Sequence, residues 1–400
     1  MRRALDCARQ RRARLPRRHI TASVRILLLY PWLPAAEAGH GSAAVLAALL
    51  PQLGRHAEVV LVCGYSKAER ELLPLVRNQV HALVAVERPQ VRQMGVAART
   101  AESAATAWKM TRHGLPLPAA KQWRRPLRHA LLEAARVHAP QLLHIEIGSM
   151  APYAALLPHL PSVLVDHEVM DTPPWPRFMV RHYHRCNELM ALCRHDAEAL
   201  KHLLHRTVAV RPVALPLQVA VARAPHPWRM LFVGSARHLP NHEALRFLVQ
   251  QVLPAARTVL PEAHLRVVGA TAADYGMQAA PGVTFVGRVP ELAPEFAAAA
   301  LVLAPVNSGG GVRVKNVEAL QAGAALLTTP LGWRGLENLN REVAAVAELS
   351  GFAARAVALL QDANAREAMA ARAFALCSRD DGIVAAAQIT ADAWARALKR

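Results

Sequence analysis

Cysteine is scarce and unpatterned in this chain. Cys7, Cys63, Cys186, Cys193 and Cys377 are odd in number, widely scattered and form no Cys-x-x-Cys pair. That speaks against a disulfide framework and fits reduced thiols in a cytosolic protein. Long apolar runs are also missing. None reaches the roughly 18 residues that cross a bilayer, and the longest candidate, Ala297–Val306, reads as a helix end followed by a strand. Acidic residues are the scarcer charged class, 29 against 48 Lys and Arg, for a formal net charge of +19. No Asp-x-Asp occurs, so a carboxylate pair for Mg²⁺ or Mn²⁺ is not evident. No G-x-x-x-x-G-K-[ST] occurs either, which excludes a P-loop.

The 400 residues suffice for two domains, and 53% of them are hydrophobic, enough for substantial cores. Part of the positive charge is local. "MRRALDCARQRRARLPRRH" is a dense Arg run with no apolar segment behind it, so it does not read as a secretory signal. Residues 1–22 are expected to be a disordered tail, with a basic arm for anionic lipid or nucleic acid as the other reading. The body stays basic without it, which favours an anionic ligand or surface.

Strand and helix patterns alternate along the rest. "VRILLLYPWLP", "AEVVLVCG", Ala82–Val86, Leu142–Ile147 and Ser162–Val165 read as buried strands with helices between them, including Pro126–His138. A second series starts at "WRMLFVGS" and continues through "HLRVVGA", "VTFVGRV", "LVLAPV" and "ALLTTP". The fold class is therefore α/β, two doubly wound Rossmann-like domains facing across a cleft. The boundaries are 23–210 for the first domain, 211–227 for a Pro-rich linker and 228–380 for the second domain. Residues 381–400 form a helix, carrying Trp394, that crosses back to the first domain.

The stretch "APVNSGGGVRVKNVEALQAGAALLTTP" carries the chemistry. Its glycines sit between a strand and a helix, presenting bare backbone N–H groups that attract phosphate. Arg313 and Lys315 add cations in the same turn, and Glu318 can accept from vicinal hydroxyls. The bland reading is an ordinary glycine turn with a solvated basic face. "GHGSAA", Gly39 to Ala44, matches G-x-G-x-x-A, but a long loop precedes it and no acid closes the following strand, so a dinucleotide site is weak. Paired histidines, His182 with His184 and His202 with His205, lack a zinc partner at a recognised spacing. "WKMTRHGLPLPAAKQWRRPLRHALL" joins Trp108 and Trp123 to Lys109, Lys121, Arg124, Arg125 and Arg128. That composition suits a membrane interface or a solvated helix face. No nucleic-acid motif accompanies the charge.

Three stretches between Trp228 and Glu337 resemble the retaining glycosyltransferases of the GT-B fold, family GT4 (glycosyl transferases group 1). They are "LFVGSARHLPNHEALRFL", "PGVTFVGRVPELAPEFAAAALVLAPV" and "SGGGVRVKNVEALQAGAALLTTPLGWRGLE". The resemblance implies sugar transfer from a nucleotide diphosphate sugar to a saccharide or lipid-linked acceptor, with retention. It implies a place in polysaccharide or glycoconjugate synthesis, no metal, and a cytoplasmic location peripheral to the cell membrane. Glu318 would bind the ribose. Gly234, Arg237, Gly309, Gly310, Gly311, Arg313 and Lys315 would hold the donor, and Gly39 and Gly41 would form a phosphate and acceptor loop. Gly310 stands where the family pattern has its first Glu. In His144-Ile145-Glu146, Glu146 stands where many members carry the second His beside the reacting sugar. The resemblance therefore names Glu146 and His167 as catalytic candidates, with Asp166 and Glu168 close by. A non-catalytic GT-B binding module and a sugar-nucleotide epimerase remain as alternatives.

Overall fold

A computed structural model describes residues 24–89, 94–216, 221–236, 238–278, 280–337, 339, 341–377 and 381–399. The N-terminal Arg run and Arg237 lie outside the described residues. The first domain holds β1 (Arg25–Tyr30), β2 (Glu58–Tyr65), β3 (Ala82–Glu87), β4 (Leu142–Glu146), β5 (Ser162–Asp166), β6 (Glu188–Ala191) and β7 (Ala209–Val210). They pair in parallel in the order β3-β2-β1-β4-β5-β6-β7. The second holds β8 (Arg229–Val233), β9 (His264–Val268), β10 (Val283–Gly287), β11 (Leu301–Ala304), β12 (Leu326–Thr328) and β13 (Ala345–Val346), in the order β10-β9-β8-β11-β12-β13.

Parallel sheets are covered on both faces, so their strands read as continuous apolar runs. Ile26 to Tyr30 are all fully buried. Each such leucine contributes roughly 1.5–3 kcal/mol of burial. Alternate residues point to opposite faces: Leu27 and Leu29 join one core, Ile26 and Leu28 the other. The helix Arg125–His138 buries Leu127, Leu131 and Ala134, one stripe at helical spacing, against the first of these. It stops where Ala139 turns left-handed at φ 42°.

The chain order reverses between β1 and β4, and again between β8 and β11. Ligands of open α/β sheets sit at such switch points, outside the carboxyl ends of the strands. The loops after β1, β4, β8 and β11 therefore meet in the space between the two domains. Two contacts fix the domains against each other. Val45, on the helix Gly41–Leu53 of the first domain, packs among Leu231, Val317 and Leu320 of the second. The last helix, Asp381–Leu398, packs on Gly41–Leu53, and its Ile383, Ala387 and Trp394 share a core with Ile26 and Leu46. No described helix is long and apolar enough to cross a membrane.

Candidate functional site

The four switch-point loops enclose a cavity of about 1360 Å³ between the domains. Gly39, Gly41 and His167 line it from the first domain, and Gly234, Gly310, Gly311, Arg313 and Lys315 from the second. Gly309 sits one residue behind the lining. Its φ of 85° and the 73° of Gly311 are left-handed, a conformation that glycine adopts at little cost.

The glycine loop lies directly on the opposite wall. The Gly310 amide donates to Glu168 Oε1 at 2.7 Å. A Cβ on Gly310 would stand 2.9 Å from Glu168 Cγ, and one on Gly311 would stand 2.5 Å from the His167 carbonyl oxygen. Similarly, a Cβ on Gly41 would meet Val314 at 2.9 Å. A carboxylate thus occupies the amide that a phosphate oxygen would want.

Arg313 precedes the helix Val314–Gln321 and donates to the Ser308 carbonyl at 3.0 Å, while its Nε is buried without a partner. Burial lowers its proton affinity, with Glu168 opposing and Arg334 adding to the effect. The guanidinium is therefore held in a partly dry wall with bonding capacity unspent. Lys315 Nζ stands 2.9 Å from Glu318 Oε2, an ion pair outside hydrogen-bond alignment. Glu318 is only 8% exposed and does not line the cavity. The sequence reading placed its carboxylate at the ligand. The structure turns it against Lys315, because residues three apart share a helix face.

Glu146 requires a larger correction. Sequence reasoning set it beside the reacting centre, whereas the structure buries it completely behind His167. Arg211 donates to it twice, Nη1 to Oε1 at 2.5 Å and Nη2 to Oε2 at 3.0 Å. His144 Nε2 meets Oε1 at 2.9 Å, and His167 Nε2 bonds to Oε2. Burial pushes the Glu146 carboxyl up, but Arg211 and the two imidazoles prevail and hold it well below the usual range. The chain continues outward, where Trp394 Nε1 donates to His144 Nδ1 at 2.8 Å. An indole only donates, so His144 Nδ1 accepts and its Nε2 carries the proton given to Glu146. Burial lowers the proton affinity of His144, with Glu146 opposing. By the same logic His167 gives its Nε2 proton to Glu146, leaving Nδ1 as the ring's acceptor when neutral. Glu146 orients His167 and does not face the cavity.

Asp166 also lines the cavity and is buried. Burial pushes its carboxyl up to about 7, against bonds from Tyr183 Oη at 2.6 Å and the Glu168 amide at 3.2 Å. The folded state therefore binds this proton more tightly than the unfolded chain. Stability is fully present below the unfolded pKa of about 3.9 and falls as pH rises towards 7. Asp166→Asn is expected to gain about 1.4 kcal/mol per pH unit over the parent across that window. Urea midpoints measured between about pH 4 and about pH 8 check this, and parallel curves for the two proteins would refute it.

The basic segment divides. Trp123 packs inward, its ring 4.8 Å from Tyr153 and 5.0 Å from the Arg128 guanidinium. Trp108 is 58% exposed. Among the described residues no group of three His, Cys, Asp or Glu could hold a metal. His182 lies against Phe178, and His184 bonds to the Val180 carbonyl.

Residues 227–362 match the family model described as "Glycosyl transferases group 1". No curated protein sequence matches the chain. HepE from Anabaena, solved with UDP and glucose, superposes with a TM-score of 0.64 at 14% identity, covering 93% of this chain and 99% of that one. Sucrose-phosphate synthase from Thermosynechococcus elongatus superposes at 0.68 with 13% identity, covering 93% and 98%. The fold is GT-B. Within this GT-B frame the residues that sequence reasoning missed are Arg211 and the seat of Glu168. Arg211 opens the stretch read as linker. Its only signal was an arginine beside a short strand, too little to foretell a buried partner. A lone carboxylate opposite a glycine run became visible only with the two walls together.

Proposed function

We propose that this protein is a retaining glycosyltransferase of the GT4 type, moving a hexosyl group from a nucleoside diphosphate sugar to an acceptor hydroxyl. The observation that carries it is the glycine loop with Arg313 and Lys315, facing His167 and the Gly39 to Gly41 loop across one cavity. The segment holding that loop is the part of the chain that matches the group 1 glycosyl transferase model. In support, HepE of the same fold was solved with UDP and glucose.

On this reading the diphosphate lies on the glycine loop. Its departure is eased by amide dipoles and by Arg313 and Lys315, which are already in position when charge develops. These cations take the part of a metal. The donor must displace Glu168 from the Gly310 amide, so entry opens the cleft and closure follows binding. Glu318 reaches the ribose hydroxyls once Lys315 turns to the phosphate. His167, held through Nε2 by Glu146, presents its other face to the transferred sugar. Polysaccharide or glycoconjugate assembly, with peripheral attachment to a membrane, is the setting that follows.

Calorimetric titration with UDP, GDP and ADP, with EDTA present, tests the donor site. One nucleotide is expected to bind at micromolar Kd, and Glu318→Ala to weaken it by about 10–100-fold, the loss of a charged hydrogen bond. Equal affinity in the variant would remove Glu318 from the site. Binding without turnover of the matching sugar nucleotide would favour the non-catalytic module.

A further inference from the structure

The cavity has a second charged wall that the donor does not use. Arg88, Lys109, Lys121, Arg124 and Arg125 line its first-domain side. They come from four places: the end of β3, the helix Val96–His113, the short helix Leu117–Gln122, and the junction leading into Arg125–His138. The carboxylates nearby are largely committed. Glu87 pairs with Arg70 at 2.6 Å, Glu69 with Arg88 at 3.1 Å, and Glu102 stands 3.5 Å from Arg124. Among the described residues Lys109, Lys121 and Arg125 have no ion pair. Arg88 Nε is buried without a partner.

The wall is built rather than loose. Tyr153 Oη donates to the Gln122 carbonyl at 2.7 Å and accepts from the Arg124 amide at 3.2 Å. Arg124 Nε donates to the Lys121 carbonyl at 2.7 Å, and Lys109 Nζ to that of Ala120 at 3.2 Å. Partial burial lowers the proton affinity of Lys109 and Arg124. Glu102 opposes this for both, while Arg124 and Arg128 add to it for Lys109 and Arg88 adds to it for Arg124. Cations crowded into a half-dry cleft repel one another and focus a positive field there. Leu117, Pro118 and Trp175 border them with apolar surface. The cavity, at about 1360 Å³, exceeds the range of about 300–1,000 Å³ typical of one small-molecule site, so it has room for a second ligand.

We infer that the acceptor is itself a phosphorylated molecule, whose phosphate or diphosphate is held by Lys109, Lys121, Arg124 and Arg125 while its hydroxyl points to His167. The inference rests on the glycosyltransferase reading and narrows its acceptor class. A neutral saccharide leaves Lys109, Lys121 and Arg125 without an ion-pair partner, whereas a phosphate gains several charge-assisted hydrogen bonds. Two sources share this chemistry: a soluble sugar phosphate and the headgroup of a polyprenyl phosphate.

The test titrates the full chain, saturated with whichever nucleotide it binds, with glucose 6-phosphate, with glucose, and with phosphatidylcholine vesicles carrying a polyprenyl diphosphate. At least one phosphate probe is expected to bind, with affinity falling as salt rises. Lys109→Ala/Lys121→Ala/Arg125→Ala should weaken that probe at least about tenfold, the scale of one lost charged contact. Lys121 and Arg125 are exposed and Lys109 half-buried, so the variant is expected to fold. Lys201→Ala, an exposed lysine outside the cavity, should leave the phosphate probe within about twofold under the same conditions. Whichever probe binds names the source. Silence from both phosphate probes, equal binding of glucose, or indifference to the triple variant overturns the inference. Loss of nucleotide binding alone, with the phosphate titrations as stated, keeps the anion site and sinks the donor reading instead.

Discussion

Glu146→Ala is expected to cost about 3–5 kcal/mol of stability, the penalty for stranding one member of a buried ion pair. Arg211 is 1% exposed and would keep its charge with no carboxylate to meet it. His144 and His167 would lose their acceptor at the same stroke. Urea unfolding followed by circular dichroism measures the loss, and a midpoint unchanged from the parent would contradict the buried cluster. Replacing Glu146 and Arg211 together by methionine should recover the share due to the stranded guanidinium, while the two imidazoles still lack their acceptor. The acid limb gives an independent reading. The folded carboxyl sits well below its unfolded value of about 4.3, so its contribution is present above that pH and is lost as pH falls through the folded pKa. Glu146→Gln should show no such limb.

Arg313→Ala should lower kcat/KM for the sugar nucleotide by about 10²–10³, the usual effect of removing one preorganised donor aimed at developing charge. Arg313→Lys should recover only part of this, since an ammonium cannot reproduce a guanidinium held by the Ser308 carbonyl. Nucleotide release followed at donor concentrations well below KM measures it. Parent-like rates in Arg313→Ala would move the diphosphate away from the glycine loop.

The strands β1, β2, β5 and β8 were legible because burial on both faces writes itself as an apolar run, and β9, "HLRVV", by its alternation. Four-residue β6, "ELMA", and two-residue β7 and β13 were not, since so short a segment carries no period. The glycine loop was legible from its neighbours: a strand before it, a helix after it and cations within a turn. What a side chain faces was a different matter. Glu146 was placed correctly on a strand end, but its partner Arg211 is 65 residues away and nothing local announces the pairing. Glu318 was placed on the right helix, yet nothing in the sequence says whether its carboxylate meets Lys315 on the same helix face or the cavity. The segment from Trp108 to Arg128 shows the same limit. Its composition fits a membrane contact as well as a cleft wall, and only the fold puts Lys109 and Arg124 inside.

The last helix has a consequence for biosynthesis. Because Ile383, Ala387 and Trp394 complete a core begun by Ile26 and Leu46, the first domain stays unfinished until the second has left the ribosome. Domains usually fold as units, in order of emergence. Here the order is broken, and the apolar flank of Gly41–Leu53 waits uncovered while some 300 intervening residues are made, tens of seconds at about 5–20 residues per second. Nascent chains of this protein therefore carry that flank exposed until the last helix has emerged.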